Sequence, residues 1–164
     1  MLAFCSCAAE DKTESPTEVV VVVSEMAASM DGFTTRVRSA AGAIVSARSF
    51  LVSPGAVVLP ADFGVIPAGG HAGTTFTVEL DAMSGGATRF TTRALTGFVE
   101  GDVRNLVLVL DGRCLDEAAT CREDETCRSE GCVPASIDPD DLPPAEVETT
   151  SIVEGSLGFV VEVP

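Results

Sequence analysis

The stretch "TTFTVELDAMSGGATRFTTRALTGFV", residues 74–99, decides the fold class. Its first half puts Phe76, Val78 and Leu80 on one side and Thr75, Thr77, Glu79 and Asp81 on the other. Its second half sets Phe90, Thr92 and Ala94 against Arg89, Thr91 and Arg93. Side chains on a strand point to opposite faces in turn, so this period of two describes two half-buried strands. Ser84, Gly85 and Gly86 between them supply a hairpin turn.

The same reading extends outward from the hairpin. "FTTRVRS" at 33–39 alternates Phe33, Thr35, Val37 and Ser39 with Thr34, Arg36 and Arg38, and "VRNLVLVLDG" at 103–112 puts Leu106, Leu108 and Leu110 on one face. "EVVVVVSEM" at 18–26 is a short β-branched apolar run, the composition of a buried strand. "AIVSARSFLV" at 43–52 and "AVVLP" at 56–60 complete seven strand candidates within residues 19–110. "ADFGVIPAGGHAG" at 61–73 reads as a loop, because Pro67 and the glycine pair Gly69-Gly70 interrupt it. About seven short strands separated by turns describe an all-β, immunoglobulin-like two-sheet sandwich. Trp and Tyr are absent and no cysteine pair lies within the strands, so an apolar core must hold the body together. If strands two and five are neighbours, Arg36 and Arg38 face Glu79 and Asp81 across the sheet.

Charge divides the chain. Residues 19–110 carry seven acids and six arginines, a net of −1, whereas residues 111–164 carry fourteen acids and three arginines, a net of −11. Phosphate recognition needs clustered cations, so these acidic segments oppose nucleic acid and anionic membrane surfaces, and no nucleic-acid partner is expected. The four cysteines of "RCLDEAATCREDETCRSEGC", residues 113–132, have the spacing C-x6-C-x5-C-x4-C. Zinc knuckles pair cysteines two to four residues apart around a longer loop, and no C-x-x-C occurs here. Asp116, Glu117, Glu123, Asp124 and Glu125 surround the thiols with negative charge, which disfavours a reactive thiolate. Cys114, Cys121, Cys127 and Cys132 therefore read as disulfides in an exported protein, with three pairings open. From Ala135, "ASIDPDDLPPAEVETTSIVEGS" reads as an acidic, proline-rich linker, and "SLGFVVEVP" as a strand that adds to a sheet edge, pairs with a partner or stays loose.

The N-terminal "FCSC" at residues 4–7 resembles the lipobox of bacterial lipoproteins, which implies lipidation at Cys7, with Cys5 as the alternative. A basic region and an apolar core do not fit ahead of either cysteine, so a signal peptide of this kind would begin upstream of Met1. "FVEGDVRNLVLVL" at 98–110 resembles the end of carboxypeptidase-regulatory-like and PEGA-like sandwich modules. Taken with "LPADFGVIPAGG" at 59–70 and the cysteine cluster, the chain is similar to small predicted lipoproteins of myxobacteria. "DETCRSEGC" at 124–132 resembles the end of EGF-like segments, which implies the crossed pairing Cys114–Cys127 and Cys121–Cys132.

The expected organisation is a lipobox-like N-terminus and spacer at 1–18, a sandwich at 19–110, a disulfide segment at 111–134 and an acidic tail at 135–164. With His71 the only histidine and no G-x-S-x-G, P-loop or EF-hand spacing, no catalytic residue, metal or cofactor is assigned. The expected function is a non-enzymatic envelope binding or adhesion module, exported or held at the outer membrane by lipid alone, whose partner is an unidentified protein or envelope ligand. A structural spacer is the alternative. The expected contact surface is the loop carrying Phe63, Val65, Ile66 and His71, together with the cysteine-rich segment. An enzyme would require a cleft gathering His71 with two acids.

Overall fold

The computed structural model describes residues 16–53, 56–117, 121–122, 124–145 and 156–164. Cys5, Cys7 and nearly all of the expected spacer lie outside the described residues, as does Glu123.

The chain is an all-β two-sheet sandwich with a small disulfide-bonded extension. Seven strands form its body: β1 Glu18–Met26, β2 Gly32–Ser39, β3 Ile44–Leu51, β4 Ala61–Pro67, β5 Thr75–Ser84, β6 Ala87–Gly97 and β7 Val103–Leu110. The extension adds one helical turn at Cys114–Glu117 and the hairpin strands β8 Glu125–Arg128 and β9 Gly131–Pro134, and a last strand, β10 Ser156–Val163, returns to the body. One sheet has the order β3-β2-β5-β6 and the other β10-β4-β1-β7. This allotment differs from the antibody constant domain, where strands two and three lie in different sheets.

Two hairpins lie within the first sheet, and every other connection among β1–β7 crosses between sheets. The β5–β6 turn uses Gly85 and Gly86, both at positive φ (59° and 79°), the backbone a two-residue hairpin loop demands. β2 and β5 are antiparallel neighbours with Arg36 opposite Glu79. The expected ion pairs form there: Arg36 donates to Glu79 at 3.0 Å and to Asp81 at 2.7 Å, and Arg38 donates to Glu79 at 3.0 Å.

The core lies between the sheets. Val19, Val21 and Val23 of β1, Phe63 and Val65 of β4, and Leu106, Leu108 and Leu110 of β7 meet Phe33, Val37, Phe76, Val78, Leu80 and Ala94 from the other sheet. Burying such side chains contributes about 1.5–3 kcal/mol each.

Two segments differ from the sequence reading, and a third takes one of the courses it left open. "AVVLP" at 56–60 is not a regular strand, and its Val57 makes only an isolated bridge to Val52. The strand is instead "ADFGVIP", expected as a loop because of its Gly and Pro. Gly64 is tolerated because neighbouring side chains occupy the space its own would take, and Pro67 because it stands at the strand's last position. Second, the stretch from Ala135 to Ala145 is packed structure. Leu95 N–H donates to Ala135 O and Ile137 N–H to Leu95 O on the β6 edge, while Asn105 N–H donates to Pro143 O and Ala145 N–H to Val103 O on the β7 edge. Leu142 between them is buried. The last segment, β10, takes the first of the three expected courses and adds to the sheet edge, parallel to β4. Its Phe159 ring lies 4.7 Å from that of Phe63 and 6.0 Å from that of Phe50, with the Arg48 guanidinium 4.5 Å above it.

The cysteine-rich segment is likewise integral to the body. Cys114 and Cys127 are buried within the main core, and Thr126 joins β6 by accepting from Arg93 N–H at 2.8 Å and bonding the Thr92 hydroxyl at 3.1 Å. The extension closes the side of the sandwich where β6 and β7 are both edges.

Candidate binding face

The outward side of the β10-β4-β1-β7 sheet carries the most distinctive surface among the described residues. β1 is a central strand of that sheet, and alternation sends Val19, Val21 and Val23 inward and Val20 and Val22 outward. Val20 is aligned with Gly64 and Asn105, and Val22 with Asp62 and Val107. Val160 of β10 is aligned with Gly64. Val107 and Val160 are 47% and 59% exposed and Val20 and Val22 are half-buried, so the described residues leave this face open to solvent on either side of β1. A strand apolar on both sides is the pattern of a sheet covered on both sides, and here the described residues supply only one cover.

Glu18, Asp62 and Glu162 also project from this face, and at its β7 edge Val107 shares a crevice with Glu25, Asp111, Glu130 and Arg128. Glu18 leans across its neighbouring strand so that its carboxylate lies over Gly64, where an added Cβ would collide with Glu18 Oε1. Burial against the sheet raises its pKa above the usual carboxylate value, and the negative charge of Asp62 raises it further. The face is thus apolar in the middle, with acids predominating around it and Arg128 beside its β7 edge.

Beside it, sharing Ile66, lies a crevice of about 760 Å³ lined by Pro16, Thr17, Ile66, Pro67, Gly69, Gly70, Glu100 and Gly101. Among these residues Glu100 is the one acid, and His71 does not belong to the lining. His71 is exposed in the turn after β4. The expected contact loop is therefore split up. Phe63 and Val65 are 2% and 0% exposed, because β4 alternation turns them into the core, while Ile66 points outward. The sequence reading overlooked Val20, Val22, Val107 and Val160. The signal for the first two was the unbroken valine run, which a half-covered strand does not need.

The cysteines pair as Cys114–Cys127 and Cys121–Cys132, the crossed arrangement that the EGF-like resemblance implies. Cys132 is exposed, whereas both partners of the first bridge are buried. Among the described residues no group of three or more His, Cys, Asp or Glu is arranged to hold a metal ion.

Fold and site together define a disulfide-bonded β-sandwich protein with an apolar sheet face that the described residues leave open. Its disulfides indicate a non-cytoplasmic compartment. No helix among the described residues is long and apolar enough to cross a membrane. No family model, curated protein or solved structure matches the chain.

Proposed function

We propose that this chain is an exported, non-enzymatic cell-envelope module that binds a protein partner through the outward face of the β10-β4-β1-β7 sheet. Attachment is through lipid on Cys7, or on Cys5, at the outer membrane, as the lipobox resemblance implies. The similarity to small myxobacterial lipoproteins with carboxypeptidase-regulatory-like or PEGA-like sandwiches, and to EGF-like segments, supports the same setting. One observation carries the binding role: five consecutive valines at 19–23 make both faces of a central strand apolar, yet the described residues cover only one face.

Export and attachment are tested by the intact mass of natively produced protein from membrane and soluble fractions, with and without reductant. The expected result is a diacylglyceryl adduct on an N-terminal cysteine and a gain of two hydrogens per disulfide on reduction. Cytosolic protein with free thiols would remove the basis of the reading. Binding is tested by retention of the purified protein on isolated envelopes. Val22→Asp and Val160→Asp, both outward-facing, are expected to lower retention at least tenfold while leaving the circular dichroism spectrum intact.

The structural-spacer alternative draws on the outer face of the other sheet. There Arg36, Arg38, Glu79 and Asp81 satisfy one another, and Thr91 donates to Asp81 at 2.6 Å. Unchanged retention in both aspartate variants would favour it.

A further inference from the structure

We infer that the occupant of the uncovered sheet face is a single amphipathic polypeptide segment that carries Lys or Arg among its apolar contacts. This inference rests on the binding role proposed above and names the chemistry of the partner.

Three observations narrow the occupant. The first is size. The valine-centred patch spans four strands and about three side-chain rows, which at ~4.8 Å between strands and ~6.8 Å between like-facing residues gives on the order of 300 Å². Stable protein–protein contacts bury about 800 Å² per partner, so the patch fits one strand or helix better than a whole folded surface. The second is charge. Glu18, Asp62 and Glu162 project with the valines, and a second copy of this chain would bring three more acids against them. Like charges held face to face oppose docking, which argues against self-association and against an anionic lipid surface. The third is the placement of Glu18. Its carboxylate lies over Gly64 in the middle of the patch, within the electrostatic reach of Asp62. Any partner covering the patch must desolvate Glu18 further. An apolar partner leaves that carboxylate buried without compensation, whereas a cation placed there supplies a charge-assisted hydrogen bond. The face therefore selects for a cation by the penalty it imposes on partners lacking one.

The test uses the full chain with its disulfides intact and three fluorescein-labelled peptides. Each carries Val and one variable residue at alternate outward positions of an extended strand, separated by Thr; the variable residue is Lys, Gln or Glu. Fluorescence anisotropy in about 50 mM salt is expected to show the lysine peptide binding at least tenfold tighter than the glutamate peptide, with the ratio shrinking in high salt. The double substitution Glu18→Gln/Asp62→Asn is expected to weaken the lysine peptide at least threefold and to leave the glutamine peptide unchanged or tighter. Val160→Asp, at an exposed position, provides a variant that keeps the fold and loses all three peptides.

Equal binding of the lysine and glutamate peptides would overturn the inference, as would indifference to Glu18→Gln/Asp62→Asn. In either case the loss of binding in Val160→Asp would leave the binding role standing. If Val160→Asp changes nothing, that role fails with it. Preferential binding to phosphatidylcholine vesicles over all three peptides would also overturn the polypeptide assignment.

Discussion

Phe159→Ala tests how β10 is held. The ring of Phe159 is half-buried, inserted beside Phe63 at 4.7 Å and Phe50 at 6.0 Å, under the Arg48 guanidinium at 4.5 Å. Truncating a fully buried Phe to Ala destabilises by about 3–5 kcal/mol, so partial burial reduces the apolar part to about 2 kcal/mol. The ring and cation contacts add roughly 0.5–1 kcal/mol beyond area. The sum is about 2.5–3 kcal/mol. For a chain of this size each kcal/mol lowers Tm by about 2–4 °C, so a drop on the order of 10 °C is expected. The assay is far-UV circular dichroism during heating, since the chain has neither Trp nor Tyr to report by fluorescence. Glu162→Ala on the outward side of the same strand is the control, expected to change Tm by less than about 2 °C. If Phe159→Ala melts within that same margin, β10 does not hold its place beside β4 in solution, and the described cover of Phe63 and Phe50 is wrong.

Thr126→Val keeps the shape of a buried residue and removes the acceptor of Arg93 N–H, so urea unfolding is expected to show a loss of about 1–3 kcal/mol; no loss would make the cysteine-rich segment an appendage after all. Asp81→Asn removes a carboxylate that receives Arg36 and Thr91, and because Arg36 is partly exposed the expected cost is about 1–2 kcal/mol, read from the same unfolding curve. Glu18 titrates with a raised folded pKa, so the folded state holds its proton more tightly than the unfolded chain does. Its ionisation therefore opposes folding above its ordinary carboxylate pKa, and the penalty grows as pH rises through the folded value. Glu18→Gln is expected to raise Tm at pH 7 and to have no effect at pH 3; a lower Tm at pH 7 would contradict the assignment of burial and Asp62 as the causes.

Much of the fold was legible because three strands of the β3-β2-β5-β6 sheet have one wet face. On β2, β5 and β6 the wet face has to be polar, so alternation named the inward residues, and the Arg36, Arg38, Glu79 and Asp81 pairing followed from adjacency. β4 was not legible, because Gly64 and Pro67 are loop residues by local preference. Only contact with Glu18 and Val160 makes a glycine suitable at that point of a strand. Ile66 alone of the expected contact residues on β4 faces outward, since a one-residue difference in phase changes the face of a strand.

By itself the sequence determined the β class, the core faces of most strands, the near-neutral body with an acidic C-terminal third, and disulfides rather than a metal knuckle. These properties depend on residue type and local spacing, which a linear string contains. Tertiary structure alone decided that residues 135–145 and β10 close opposite sides of the sandwich, that Cys114 and Cys127 belong to the core, and that Val20, Val22, Val107 and Val160 gather on one face with Glu18 over Gly64. Those relations join residues far apart in the chain, and strand order, which fixes them, is set by long-range packing and not by any local preference.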